Sequence, residues 1–163
     1  MTPLTRRLSP AAIQLWAWLF PVTYLFHIAE EYWMGGGYSE YLYRLRGVHF
    51  SNSRFLVSQA VGVVLIVAGV LIARQLRFLQ IMIVILGSIV LVNALSHIIT
   101  GTAYLSYNPG LLSSLFMWLP LGAATLIRFY PLVKRRKYWM AVAIGFAINV
   151  VIAIFTLKGG RLG

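Results

Sequence analysis

Between Phe78 and Ile127 the chain runs for 50 residues without a charged side chain. About one residue in four is charged in a soluble domain, so a run of this length has to be sheltered from water as a whole. Three shorter runs share the property: Leu8 to Ala29, Phe55 to Ala73 and Tyr138 to Leu157, of 22, 19 and 20 residues. A helix rising about 1.5 Å per residue crosses a hydrocarbon layer of ~30 Å in roughly 20 residues. Each shorter run therefore supplies one span, and the 50-residue run supplies two with a connector. The connector falls within TGTAYLSYNPG, where Gly101, Pro109 and Gly110 interrupt the apolar pattern. Backbone groups in lipid must be hydrogen-bonded within their own segment, and the alternating pattern of barrel strands is missing, so the spans are helices. The predicted architecture is all-α: a polytopic integral membrane bundle of about five transmembrane helices, one domain over residues 1–163. The spans lie near 11–34, 55–73, 79–100, 110–129 and 138–157.

A net charge of +11 raises the question of nucleic acid, but the 14 basic residues sit in short connectors between apolar runs. That distribution belongs to membrane topology, and no nucleic-acid partner is expected. The amino end and the second and fourth connectors carry nine basic residues; the other side carries five. The positive-inside rule then predicts a cytoplasmic amino terminus and an outer carboxyl terminus. Arg6 and Arg7 precede the first apolar run as in a signal peptide. The run is too long for one and has no small-x-small cleavage site before the glutamates, so it is expected to stay attached as a span. The chain has no cysteine, which excludes disulfides, thiol chemistry and cysteine-bound zinc.

The few polar groups inside the spans are not scattered. At about 100° per residue, His27, Glu30 and Glu31 fall within one narrow arc of the first helix, with Tyr24 a turn below and Gly35-Gly36-Gly37 ending the helix. In the third span Asn93, Ser96, His97 and Thr100 also share an arc, after an almost wholly apolar stretch. The first and third spans run in the same direction, so His27 and His97 come level at one end of the bundle. Glu40, His49 and the Tyr107-Asn108-Pro109-Gly110 run fall in connectors on that side too. Simpler roles exist for each feature. The glutamates could be solvated, or could anchor topology by pairing with Arg44 or Arg46; Asn93 and His97 could be interhelical hydrogen-bond glue. Asn108 suits a helix cap and Pro109 a first helical position, starting the fourth span, while Tyr107 suits the interfacial aromatic belt. Pro21 and Pro120 are expected to kink their spans, and Asn149, Ser58 and Gln59 to act as isolated glue. Two polar stripes meeting at one end favour a site, because ionisable groups in spans are costly and tend to be functional.

HIAEE, residues 27–31, resembles the H-x-x-E-E signature of the HXXEE domain family, which also carries a second histidine and a Y-x-P-G motif. His97 and the run from Tyr107 to Gly110 correspond to these, in order, so the resemblance covers the first to the fourth span. It implies a small, mostly prokaryotic integral membrane protein, here of the plasma membrane, with an enzymatic site on these residues. It implies no particular reaction.

The chemistry of the residues narrows the choice. His27 and Glu30, three apart on a helix, with His97 from a neighbouring span, make a candidate ligand set for a divalent metal: zinc first, iron or manganese as alternatives. Glu31 would then be the general base, and Asn93 would polarise a carbonyl or orient His97; Tyr107 is a further catalytic candidate. With the site near the headgroups at the outer face, the expected reaction is hydrolysis of a lipid or other amphiphilic substrate. A di-iron carboxylate centre needs more carboxylates than the three acids present. Other readings stay open: a metal-free Glu/His acid–base isomerase or cyclase on an isoprenoid-like substrate, a small proton-coupled transporter, or an accessory membrane subunit. A homo-oligomer is compatible with all of them.

Overall fold

A computed structural model of the protein describes residues 8–159; Arg6, Arg7 and Arg161, used above in the charge count, lie outside them. The described residues form six helices: α1 (Pro10–Trp33), α2 (Tyr38–Arg46), α3 (Asn52–Gln75), α4 (Leu79–Ala103), α5 (Leu111–Leu132) and α6 (Arg135–Gly159). All but α2 are long and apolar enough to cross a membrane, which gives the five expected spans, extended by up to three residues at several ends.

Local sequence chemistry sets the ends. Ser9 caps α1 by accepting from the Ala12 amide, with Pro10 at the first helical position; Ser51 caps α3 by accepting from the Arg54 amide. The three glycines after α1 all take positive φ, 63°, 86° and 84°, a path that side chains with a Cβ rarely follow. They turn the chain into α2, an extra helix within the first connector that buries Tyr41 and Leu42 and stops at Gly47. The Asn-Pro-Gly segment departs from expectation. α5 starts at Leu111, after Gly110 at φ 94°, and the Asn108 side chain is not a cap. Its amide is drawn instead to α4, where it donates to the Thr100 hydroxyl at 2.7 Å.

α4 is the central helix and carries the largest share of the core, with Ile83, Val84, Leu86, Val90 and Ala94 buried. Small residues allow the neighbours to come close: a Cβ on Gly122 of α5 would lie 2.8 Å from the Leu91 Cβ, and one on Gly145 of α6 would lie 2.6 Å from the Ile85 carbonyl oxygen. Polar groups add interhelical bonds. Trp16 of α1 donates to Thr125 of α5 at 2.8 Å, Ser88 of α4 to the Val142 carbonyl at 3.0 Å, and Asn149 of α6 to the Ile89 carbonyl at 2.9 Å, the role expected of Asn149. α5 departs from α-helical geometry at Ser114–Trp118, which forms a π-turn just before Pro120.

Gly145→Ala tests the close contact of α4 and α6. The added methyl forces the helices apart at a backbone carbonyl, and overpacking of this kind costs about 1–3 kcal/mol. The thermal midpoint of the detergent-solubilised protein is expected to fall; an unchanged midpoint would show that the interface is looser than described.

Candidate metal centre

One oxygen atom lies between the two histidines. Glu31 Oε1 is 3.6 Å from His27 Nε2 and 3.5 Å from His97 Nε2, and all three residues are buried. The three ligand-capable atoms lie within 4.8 Å of one another, and no other group of this kind occurs among the described residues. The rings are nearly perpendicular, 86° apart with centroids at 5.0 Å. Gly110 allows this approach: a Cβ there would lie 2.7 Å from His97 Cε1 and 2.8 Å from His27 Cε1, and its φ of 94° already favours glycine.

The two Nδ1 atoms are engaged on the far sides of the rings. Asn108 uses its NH2 to donate to Thr100, and to the His97 carbonyl at 3.4 Å, which turns its Oδ1 to the His97 ring at 3.2 Å as an acceptor. His97 therefore carries its proton on Nδ1. At His27 the partner is the Ser113 hydroxyl, 2.7 Å from Nδ1. That hydroxyl donates to Glu30 Oε2, so it accepts from His27 Nδ1–H. Both imidazoles, in their neutral form, then present bare Nε2 lone pairs to Glu31 Oε1. Trp118 stacks on His27 with centroids 3.8 Å apart, brought there by the π-turn of α5.

The two glutamates have opposite surroundings. Four donors meet Glu30: the Leu112 amide at 2.8 Å, the Ser113 amide at 2.6 Å, the Ser113 hydroxyl, and the Tyr107 hydroxyl at 2.6 Å. Burial, and then the neighbouring Glu30 carboxylate, push the Tyr107 phenol above its ordinary pKa and keep it a donor. Glu31 receives one neutral hydrogen bond, from Gln59 Nε2 to Oε2 at 3.1 Å, and Gln59 in turn accepts from Tyr24.

Expectation and geometry differ in detail. His27, His97 and a glutamate come together as predicted, but the glutamate is Glu31, whereas Glu30 is saturated by α5 and the loop before it. Neither glutamate is solvated or paired with Arg44 or Arg46; Arg44 pairs with Glu40 at 3.5 Å. Asn108, not Asn93, orients His97. Asn93 lines an adjoining cleft of about 390 Å³ between α2, α4 and α6, together with Ser96, His97, Thr100 and Asn149, and its Oδ1 is buried with no hydrogen-bond partner among the described residues. Ser113, Gln59 and Trp118 were not legible as site residues. Ser113 stands three residues beyond the end of the Tyr107–Gly110 run, the one sequence cue that points to it.

No curated protein and no solved structure matches the chain. Residues 18–125, from α1 through most of α5, match the family described as "Protein of unknown function with HXXEE motif". The matched region contains every residue of the cluster and its supports. The chain is a multi-pass member of the HXXEE family.

Proposed function

We propose that the protein is a membrane-embedded, metal-dependent hydrolase of a lipid or other amphiphile, with His27, Glu31 and His97 holding one divalent cation. The observation that carries this reading is the meeting of two imidazole Nε2 atoms and one carboxylate oxygen in a buried position. Lone pairs on these atoms repel one another unless a cation stands among them. A shared proton fits less well, because 3.5 and 3.6 Å exceed the ~3.2 Å limit of an N–H···O bond. The three ligand atoms lie within 4.8 Å of one another, so the two imidazoles and the carboxylate would hold a cation after a small inward shift of the side chains. Two nitrogens and one oxygen suit zinc, with iron or manganese as alternatives.

A cation bound there supplies Lewis acidity and an activated water. The protein does the rest. Ser113 and Asn108 fix the tautomers and ring orientations, Glu30 acts on His27 through Ser113, and Gln59 with Tyr24 holds Glu31. The cleft between α2, α4 and α6 gives a lateral entrance for an amphiphile, with the unpartnered Asn93 amide oxygen as a contact for a donor on the substrate. The excess of basic residues in the other set of connectors supports a cytoplasmic amino terminus and a site at the extracytoplasmic face of a prokaryotic plasma membrane.

Elemental analysis of the purified protein is expected to give about one metal per chain, lost on His27→Ala, His97→Ala and Glu31→Gln. Metal content unaffected by all three would exclude the centre. Glu30→Gln and Asn108→Ala should keep the metal but weaken its affinity by about 10–100-fold, as read by competition with a chelator. A complete loss in Glu30→Gln, equal to that of Glu31→Gln, would make Glu30 a ligand after all. Lipid turnover in vesicles should stop on chelation and return with zinc, and turnover that persists without metal would favour the metal-free acid–base reading.

A further inference from the structure

The end of the bundle opposite the histidines has a cavity of its own, about 520 Å³, where the start of α1, the α3–α4 turn and the start of α6 meet. Arg74, Arg77, Lys134 and Lys137 all line it, with Gln14 and Gln80 as the other polar side chains. No acidic side chain among the described residues answers these cations. The chain has three acidic residues, and Glu30, Glu31 and Glu40 all lie at the far end, on or beyond the last turn of α1. A second observation concerns Arg77. It holds φ 59° in the tight turn between α3 and α4, a conformation glycine adopts at less cost, so an arginine is kept there against the local backbone preference. Ile13 and Leu79 line the same cavity, which puts apolar surface beside the charges at the boundary of a span.

We propose that this cavity binds the phosphate headgroup of an anionic phospholipid, whose charge Arg74, Arg77, Lys134 and Lys137 neutralise together. Basic pockets between spans at a membrane surface recognise such headgroups, each nearby Lys or Arg adding to the attraction. A lipid source fits better than free phosphate, since Ile13, Leu79, Ile81 and Leu132 line the cavity beside the four cations and offer apolar contact that free phosphate would not use. The site is independent of the metal centre.

The test uses the full-length protein in mild detergent, with phosphatidylglycerol or phosphatidylcholine added as mixed micelles and bound lipid counted by native mass spectrometry. One phosphatidylglycerol per chain is expected, at a preference of about tenfold or more over phosphatidylcholine. Arg74→Gln combined with Lys137→Gln should reduce that preference about tenfold, whereas Arg44→Gln with Arg46→Gln, an equal charge change at the other end, should leave it intact. Arg77→Gly relieves the backbone and so should not lower the thermal midpoint, yet it should weaken phosphatidylglycerol binding. The proposal is overturned if the two lipids bind alike, if both double variants lose the preference equally, or if inorganic phosphate stabilises the protein and phosphatidylglycerol does not.

Discussion

The structure turns on a carboxylate oxygen shared by two imidazoles inside a membrane helix bundle. A buried carboxylate is costly, and Glu31 has one donor, Gln59, for its two oxygens. On the proposed reading, a cation completes the arrangement. Much of the surrounding architecture serves to hold this configuration: the glycine beneath the two rings, the π-turn that lays Trp118 on His27, and the Asn-Pro-Gly segment that reaches back to α4.

Two adjacent glutamates in one motif do different work because a helix points them to different neighbours. Glu30 meets the amides at the start of α5 and the Tyr107 hydroxyl, a set of donors that satisfies a carboxylate fully. Glu31, one residue on, meets the histidines and a single glutamine. On the proposed reading the first glutamate ties α1 to α5 and tunes His27, and the second binds the cation.

Charge is segregated along the bundle. The acids and histidines occupy one end; the cavity-lining cations at the other end have no acidic side chain as partner among the described residues. A protein built this way has its counterions supplied from outside: a metal ion at one end and an anionic headgroup at the other, on the two readings proposed. Between the two ends, small-residue packing and interhelical hydrogen bonds from Trp16, Ser88 and Asn149 hold the helices together.

The sequence by itself determined the number of spans, their direction and the end at which the polar residues gather. Charge-free length decides whether a segment crosses lipid, and parity decides which ends come level, both of which are properties of the chain read in one dimension. Helical spacing also put His27, Glu30 and Glu31 on one face, and no spacing rule distinguishes residues one step apart there. That choice belongs to the tertiary structure, because it depends on which neighbouring helix each carboxylate meets: α5 for Glu30, α4 and α3 for Glu31. The same holds for Asn108, whose local sequence suits a cap and whose side chain is claimed by a histidine 11 positions earlier. Local preference there is worth about 1 kcal/mol from a single cap bond, and the Asn108 side chain makes three hydrogen bonds to α4 in its place.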